Sequence, residues 1–291
     1  MEKIFKNKTV IVTGGTDGFG FAISKNFIEH GANLIICSRN KKRVEKSNEI
    51  FSRMLDKNQN IFSIKADISH EVDVKNLFSV ATNNFQSIDI IINNAGIYGP
   101  IGKIENINWN QWMEAININL FGSILIIKNA IPILKKQNKG KIIQISGGGA
   151  TNPMPNFSSY AVSKTGIVRF VETISQELKN YKIDINAIAP GALNTKMLDD
   201  LLESGVENVG EDFYNKSIKQ KELGGAGFAK GIELINFLAS SNSNGITGKL
   251  ISALWDNYED WPKYLDDLKK SDSYTLRRIT GRDRNFDWGD K

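Results

Sequence analysis

Short runs of β-branched and other apolar residues alternate along the chain with longer segments of helical periodicity. The runs predict strands at residues 9–13, 33–37, 61–65, 88–92, 141–145, 184–188 and 246–251. The longer segments predict helices at residues 19–29, 41–55, 72–85, 109–134, 160–178 and 230–238. Alternation of this kind is typical of βα units, so we expect an α/β fold around a parallel sheet.

No flexible linker interrupts this series, so residues 1–252 are predicted to form a single domain. Residues 192–223 interrupt this alternation of strands and helices with a polar insertion that contains glycines and precedes the last helix. Residues 253–291 follow the last strand and carry Trp255, Trp261 and Trp288. We expect this aromatic-rich extension to pack on the domain or on a partner subunit.

The composition is that of a soluble globular protein, since 41% of the 291 residues are hydrophobic and 24% are charged. Cys37 is the only cysteine, which excludes an intramolecular disulfide and, with two histidines, leaves too few ligands for a zinc site. The longest apolar run, residues 120–127, is far shorter than the roughly 20 residues of a membrane span. Residues 1–8 are charged and lack the apolar stretch of a signal peptide, so we expect a cytoplasmic protein with no metal and no membrane partner.

The basic excess is mild, with a net charge of +5 and a pI of about 9.0. The densest basic cluster falls in a predicted surface loop and consists of Lys135, Lys136, Lys139 and Lys141. We interpret this cluster as a solvated face rather than a phosphate-binding surface. The high isoelectric point is the one feature of the sequence that favours a nucleic-acid partner, and by itself it is too weak to predict one, so none is expected.

A glycine-rich turn follows the first predicted strand and opens the first helix. The chain from Thr13 to Gly20 has the sequence TGGTDGFG. Glycines in such a turn let the backbone bend sharply and admit a pyrophosphate against the N-terminus of the helix. The turn therefore predicts a dinucleotide site.

The spacing of these glycines and five further motifs resemble the short-chain dehydrogenase/reductase family. In chain order the motifs are Gly14-x3-Gly18-x-Gly20, Asp67 after the third strand, NNAG at residues 93–96, Asn119 with Gly122, Tyr160 four residues before Lys164, and Pro190-Gly191 with Thr195. They follow the family's order between residues 9 and 251. The resemblance implies a Rossmann-type, doubly wound parallel sheet, a nicotinamide dinucleotide cofactor, and a homotetramer or homodimer.

The resemblance also implies a set of cofactor-binding residues: Gly14, Thr16, Asp17, Gly18, Phe19, Gly20, Ser38, Arg39, Asp67, Ile68, Asn94, Ala95, Gly96, Tyr160, Lys164, Pro190, Gly191, Leu193 and Thr195.

The choice between NAD and NADP is expected at the end of the second strand. A carboxylate there would bind the ribose 2′-hydroxyl and repel a 2′-phosphate. The chain instead carries Ser38 and Arg39, and a guanidinium beside a hydroxyl suits a phosphate dianion. Asp17 opposes this preference, because some NADP-dependent relatives carry a base at that point of the glycine turn. We expect NADP, with NAD as the alternative.

Tyr160 and Lys164 lie on one face of a predicted helix, four residues apart. An ammonium about 4 Å from the phenol would favour the phenolate by roughly 4 kcal/mol at an effective dielectric constant near 20. The pair therefore predicts a lowered Tyr160 pKa, which suits a general acid or base. The resemblance implies this catalytic role for Tyr160, a grip on the nicotinamide ribose by Lys164, and a proton-relay water held by Asn119.

One position departs from the family's pattern. The family usually carries a serine thirteen residues before the tyrosine, to hydrogen-bond the substrate carbonyl, and this chain has Gly147 there. Ser146, one residue earlier, is predicted to replace that serine. Neighbouring residues of a strand point to opposite faces, which argues against this replacement. The alternative donors are backbone N–H groups of the glycine run and the hydroxyls of Thr151, Ser158 and Ser159.

The resemblance implies a substrate pocket between the glycine run and residues 192–223, which we expect to act as a substrate lid. The candidate lining residues are Tyr98, Met154, Phe157, Met197, Phe213 and Tyr214. The lid is polar and the extension carries Arg277, Arg278, Arg282 and Arg284, which favours a polar or sugar-derived substrate.

The sequence thus predicts an NADP(H)-dependent oxidoreductase that moves a hydride between the nicotinamide and a carbonyl or secondary alcohol. A 3-oxoacyl thioester is the alternative substrate. The alternative of another class is a dinucleotide-binding sensor or scaffold without turnover, which Gly147 favours.

Overall fold

A computed structural model describes residues 2–288 of the chain. Within them, parallel strands form one seven-stranded sheet in the order β3-β2-β1-β4-β5-β6-β7. The strands are β1 Thr9–Thr13, β2 Asn33–Ser38, β3 Ile61–Lys65, β4 Ile90–Asn93, β5 Gly140–Ile145, β6 Ile183–Ala189 and β7 Leu250–Ser252. The chain order reverses between the paired strands β1 and β4, so a crevice opens at their carboxyl ends.

The helices are α1 Gly18–Glu29, α2 Lys41–Ser52, α3 Glu71–Asn84, α4 Trp109–Ile116, α5 Ser123–Gln137, α6 Ser158–Glu177, α7 Lys196–Glu203, α8 Val206–Val209, α9 Glu211–Leu223, α10 Ala229–Ala239 and α11 Leu265–Lys270. A π-helical turn, Asn117–Gly122, joins α4 to α5. The buried residues of α1 and α10 pack on one face of the sheet, and those of α3, α5 and α6 pack on the other. The expected doubly wound α/β fold is therefore confirmed.

The strands form where the sequence offers continuous β-branched runs. Ile90, Ile91 and Ile92 in β4 are all fully or almost fully buried, as expected for a parallel strand covered on both faces. The seventh strand begins later than predicted, at Leu250 instead of residue 246. Gly245 and Gly248 explain the difference, because their left-handed φ angles of 86° and 72° turn the chain out of the extended conformation.

The continuous helix Trp109–Gln137 is long and apolar enough, by length and composition alone, to cross a membrane. In the fold it packs against α3 and α6, as the core helix of a domain does.

Several contacts join the extension to the domain. Tyr258, Trp261 and Leu268 are buried in the apolar cluster on the α10 face. Further along, the backbone N–H of Leu250 in β7 donates to the carbonyl oxygen of Tyr274 at 2.8 Å. The segment at Tyr274 therefore contacts the edge strand β7. The division of the chain at residue 252 stays a prediction, and residues 289–291 lie outside the described residues.

Candidate active site

In the glycine turn between β1 and α1, two parts of the backbone lie close to each other. Gly14 and Gly18 have left-handed φ angles of 63° and 50°. A Cβ on Gly20 would lie 2.1 Å from the carbonyl oxygen of Gly14, so only glycine fits there. Asp17 caps α1, because its Oδ1 accepts a hydrogen bond from the N–H of Gly18 at 2.8 Å. The turn thereby brings the N-terminus of α1 to the crevice.

A hydrogen-bonded brace joins the loops after β1 and β4. Thr13 Oγ1 accepts from the N–H of Asn94 at 2.9 Å and from that of Ala95 at 3.0 Å. Asn94 Nδ2 donates to the carbonyl oxygens of Thr13 and Gly14 at 3.0 and 3.3 Å. Side chains from two neighbouring strands therefore fix the floor of the crevice.

The crevice holds a cavity of about 660 Å³, a size typical of small-molecule and cofactor sites. Most of the predicted cofactor residues line it: Gly14, Thr16, Asp17, Gly18, Phe19, Gly20, Ser38, Arg39, Asp67, Ile68, Asn94, Ala95, Gly96 and Thr195. A turn that only glycine can form, at a helix N-terminus, fits the pyrophosphate of a dinucleotide. The residues present therefore fit the cofactor that the sequence implies.

Three of the predicted cofactor residues, Pro190, Gly191 and Leu193, do not line the cavity. Gly191 faces the extension, because a Cβ there would lie 2.7 Å from Cδ1 of Leu254. Leu193 packs against the apolar cluster on the α10 face. Cofactor binding by this segment stays a prediction. Tyr160 and Lys164 also lie outside the lining of the cavity and are described below.

The cavity also has lining residues outside the predicted cofactor set, of which Met197 was predicted for the substrate pocket: Cys37, Asn40, Arg43, Ala66, Ile97, Ile118, Lys196, Met197 and Asp200. The position of Arg43 beside the cavity could have been predicted, because Asn40 is a favoured N-cap residue and marks the start of α2 directly after Arg39. Asn40 Oδ1 accepts from the N–H of Arg43 at 3.1 Å, which places Arg43 in the first turn of α2.

Two arginine–carboxylate pairs lie at the end of the cavity beside β2. Arg43 Nη1 lies 2.8 Å from Asp17 Oδ2. Arg39 Nη1 lies 3.1 Å from Glu114 Oε1 and 3.9 Å from Asp67 Oδ2. Arg43 therefore offsets the negative charge of Asp17, which the sequence alone left as an argument against a 2′-phosphate.

Tyr160 and Lys164 project from α6 and are buried. Lys164 Nζ donates to the carbonyl oxygen of Ile145 at 3.0 Å and lies 5.5 Å from the centroid of the Tyr160 ring. A Cβ on Gly96, which lines the cavity, would lie 3.6 Å from that Nζ. The ammonium therefore borders the cavity across Gly96.

Burial governs the ionisation of both groups. It raises the pKa of the Tyr160 phenol, and the neighbouring Tyr98 adds to the rise. It lowers the pKa of Lys164 to about 8. The expectation that Lys164 lowers the pKa of Tyr160 is therefore wrong for this arrangement, because the ammonium is directed at Ile145 and both charged forms lose hydration.

Gly147 lies directly against Tyr160. A Cβ built on Gly147 would lie 2.4 Å from Tyr160 Oη, so the phenol hydroxyl fills the space of a side chain at that position. Ser146 Oγ is shielded from solvent and has no hydrogen-bond partner within residues 2–288. This geometry argues against the role predicted for Ser146, because a shielded hydroxyl does not reach a substrate, and the role stays an untested prediction.

Of the other predicted hydroxyl donors, only Ser159 uses its own proton within the described residues. Ser158 Oγ accepts from Trp112 Nε1 at 3.0 Å. Ser159 Oγ donates to the carbonyl oxygen of Tyr98 at 3.2 Å. Thr151 is exposed, and its hydroxyl accepts from the side chain of the next residue.

Asn119 lies in the π-helical turn, a feature that is frequent at functional sites. Its Oδ1 accepts from the N–H of Ile97 at 2.9 Å, and its Nδ2 donates to the carbonyl oxygen of Ile97 at 2.7 Å and to Ser163 Oγ at 3.1 Å. The side chain fixes the loop after β4. The relay water expected at Asn119 stays a prediction.

An apolar cluster surrounds Tyr160, and α7 to α9 supply much of it. Its members are Tyr98, Ile101, Met154, Phe157, Tyr160, Met197, Leu201, Leu202, Val209 and Tyr214. The ring of Phe213 also meets Phe157 edge-on, at 5.4 Å between centroids. All six candidate lining residues therefore gather near Tyr160. Met197 belongs both to this cluster and to the cavity lining, so the two spaces adjoin.

The arginine-bearing end of the extension lies away from this cluster. Arg277 pairs with Asp272 and Asp283, and the N–H of Leu276 donates to Glu172 on the C-terminal half of α6. No residue of 253–288 belongs to the cavity lining or to the apolar cluster. The argument that tail arginines favour a polar substrate is therefore wrong.

The geometry agrees with what comparison with known proteins finds. A family model described as short chain dehydrogenase matches residues 8–204, which is more than half of the chain. The chain belongs to the short-chain dehydrogenase family. The sequence prediction of family and fold is thereby confirmed.

Relatives of this short-chain dehydrogenase span most of its length. Dehydrogenase/reductase SDR family member 4 of Sus scrofa is 26% identical over 249 residues, which cover 86% of each chain. The 3-oxoacyl-acyl-carrier-protein reductase FabG of Chlamydia trachomatis serovar D is 32% identical over 259 residues, which cover 87% of this chain and 98% of that protein.

Two solved structures share the fold. A levodione reductase superposes with a TM-score of 0.77 at 24% identity, covering 85% of this chain and 96% of its own. An NAD⁺-bound xylitol dehydrogenase superposes with a TM-score of 0.76 at 22% identity, covering 85% and 98%. As a short-chain dehydrogenase, the protein is an oxidoreductase that acts on alcohol or carbonyl groups of small molecules and uses NAD(P).

Proposed function

We propose that the protein is an NADP(H)-dependent oxidoreductase that interconverts an apolar ketone and its secondary alcohol. The observation that carries this proposal is the position of Tyr160. Its ring belongs to the apolar cluster, and its partner Lys164 borders the dinucleotide cavity across Gly96. A substrate in the space of the cluster would thus meet the phenol and the cavity together.

The cofactor is expected to be held by the glycine turn and by the arginines beside β2. The pyrophosphate would lie at the N-terminus of α1, and the 2′-phosphate would face Ser38, Arg39 and Arg43. Arg39 and Arg43 are the cations that support NADP over NAD, and Arg43 at 2.8 Å partly neutralises the opposing charge of Asp17. When bound, the nicotinamide supplies or accepts the hydride.

Tyr160 is proposed to exchange the proton with the substrate oxygen. The phenol holds its proton at neutral pH and can pass it to the more basic alkoxide, although burial raises its pKa and makes it a weaker acid than a free tyrosine. Lys164 is proposed to bind the ribose from its place beside Gly96, since its ammonium is the cation that borders the cavity there.

The substrate is proposed to be apolar, in place of the polar or sugar-derived compound that the sequence favoured. The lid is amphipathic rather than polar throughout. Leu201 and Val209 turn inward onto the cluster and are buried, whereas Glu203 and Glu207 are exposed. A sugar would lose hydrogen bonds to water among such side chains without replacing them.

A 3-oxoacyl thioester is the second candidate. The 32% identical relative is a 3-oxoacyl-acyl-carrier-protein reductase by name, and an acyl chain is itself apolar. The apolar cluster suits that chain as well as it suits a cyclic or aromatic ketone.

A substrate panel tests the proposal. NADPH and NADH oxidation is measured with cyclic and aryl ketones, aldoses and a 3-oxoacyl thioester. We expect kcat/KM to be about tenfold or more higher with NADPH than with NADH, a difference that one ion pair with a phosphate dianion provides. We also expect a higher kcat/KM for apolar ketones than for aldoses. A preference for aldoses would overturn the substrate class, and dinucleotide binding without any turnover would favour the sensor.

A pair of lid variants sharpens the test. Leu201→Ala opens the buried side of the lid, whereas Leu223→Ala alters a leucine that is 84% exposed. Only Leu201→Ala is expected to raise the KM for apolar ketones, by about tenfold for the lost contacts. Equal effects of the two variants would contradict the assignment of the apolar cluster as the substrate pocket.

A further inference from the structure

A carbonyl oxygen that receives a proton from Tyr160 has a second lone pair, which a hydrogen-bond donor can polarise. Gly147 supplies no side chain for this purpose, and Ser146 is shielded from solvent. Ser159 already donates its proton to the carbonyl oxygen of Tyr98, whereas Ser158 and Thr151 accept a bond and keep their protons. Gly147, Ser146 and Ser159 therefore do not supply the donor, and the structure offers a hydroxyl outside the predicted donors that lies directly against Tyr160.

Tyr98 is the neighbouring side chain with a free hydroxyl. Its ring lies 4.9 Å from the ring of Tyr160 and 5.3 Å from that of Phe157, both edge-on. Within residues 2–288 its hydroxyl has no hydrogen-bond partner. Unlike the Ser146 hydroxyl, it is accessible to solvent. It is therefore open to a ligand beside Tyr160.

The backbone around Tyr98 is held in place. Asn119 bonds both the N–H and the carbonyl oxygen of Ile97, directly before Tyr98. Ser159 Oγ donates to the carbonyl oxygen of Tyr98, and Gly99 follows with a left-handed φ of 75°. A donor fixed in this way loses little freedom when it bonds a substrate.

We propose that the Tyr98 hydroxyl donates the hydrogen bond to the substrate carbonyl oxygen that a serine at position 147 would otherwise donate. Tyr98 keeps its proton throughout, and Tyr160 alone transfers one. Burial raises the pKa of Tyr98, which keeps the phenol in its donating form. This inference rests on the proposed function.

The test compares Tyr98→Phe with Ser146→Ala, using an apolar ketone that the wild-type protein reduces. Tyr98→Phe removes the hydroxyl and retains the ring contacts with Tyr160 and Phe157. We expect kcat/KM to fall about 10²–10³-fold, mostly in kcat, because the bond strengthens as charge develops on the oxygen. Ser146→Ala should stay within threefold, and the NADPH Kd and Tm of both variants should stay near wild type.

Each other outcome has a separate meaning. A kcat/KM of Tyr98→Phe within threefold of an active wild-type protein overturns this inference alone and leaves Ser158, Thr151 or the backbone N–H groups after Gly147 as the donor. A loss confined to Ser146→Ala overturns it in favour of Ser146. A wild-type protein that binds NADPH but reduces no carbonyl overturns the proposed function and this inference together.

Discussion

The hydroxyl of Tyr160 occupies the space that a side chain on Gly147 would fill, since an ideal Cβ there would lie 2.4 Å from Tyr160 Oη. Gly147 itself is extended, with φ −177°, so its backbone would accept any residue. The glycine therefore sets where the phenol lies, and the absence of a serine at this position is part of the geometry of the site.

Adding a side chain at position 147 is expected to displace Tyr160. Gly147→Ala and Gly147→Ser should each lower the free energy of unfolding by about 1–3 kcal/mol through overpacking. Each should also lower kcat/KM about 10–100-fold, because the phenol is misplaced. Gly148→Ala is the matched control, since a Cβ there would meet nothing within 4 Å. Higher activity in Gly147→Ser than in wild type would contradict this account.

Asp17 is expected to weaken NADPH binding through its pairing with Arg43 at 2.8 Å. Asp17→Asn keeps an N-cap residue for α1 and removes the charge. We expect the NADPH Kd to fall about fivefold, because Arg43 no longer pairs with a carboxylate and can pair with the 2′-phosphate instead, a gain of about one exposed ion pair. The NADH Kd should stay within twofold, because NADH lacks that phosphate. Arg39→Ala should shift NADPH affinity in the opposite direction. Cofactor fluorescence titration measures both, and equal changes for the two cofactors would contradict the assignment.

Lys164 is expected to lower the stability of the protein at neutral pH. Its pKa is about 8 in the fold against 10.5 in the unfolded chain, so below pH 8 both states carry the proton and the buried charge costs about 3 kcal/mol. Between pH 8 and 10.5 only the unfolded chain still holds the proton, so stability rises with pH.

Lys164→Met should therefore be more stable than wild type at pH 7, by about 1–3 kcal/mol after loss of the bond to Ile145. The difference should shrink as the pH approaches 10. Urea unfolding at several pH values measures it, with the exposed Lys128→Met as control. A difference that does not change with pH would show that burial of the ammonium is not its cause.

The sequence predicted what local patterns determine. The β-branched runs specified the sheet, and the glycine spacing together with Asn94 specified the turn and its brace. These features depend on residues close in the chain or on motifs that occur at the ends of strands. The cytoplasmic location and the homo-oligomer stay predictions.

The electrostatics and the pocket depended on contacts between distant residues. Arg39 meets Glu114 from a separate helix, which no local pattern indicates. The lid appeared polar because its composition averages two faces, of which only the apolar face carrying Leu201 turns inward. The ionisation of Tyr160 followed from burial, and burial depends on the whole fold.

The most direct test of the account is Tyr160→Phe, which keeps the ring and removes the hydroxyl. We predict that kcat/KM for carbonyl reduction falls about 10²–10⁴-fold, the usual contribution of a positioned proton donor, while the NADPH Kd stays within twofold of wild type. Reduction by Tyr160→Phe within threefold of the wild-type rate would contradict the account.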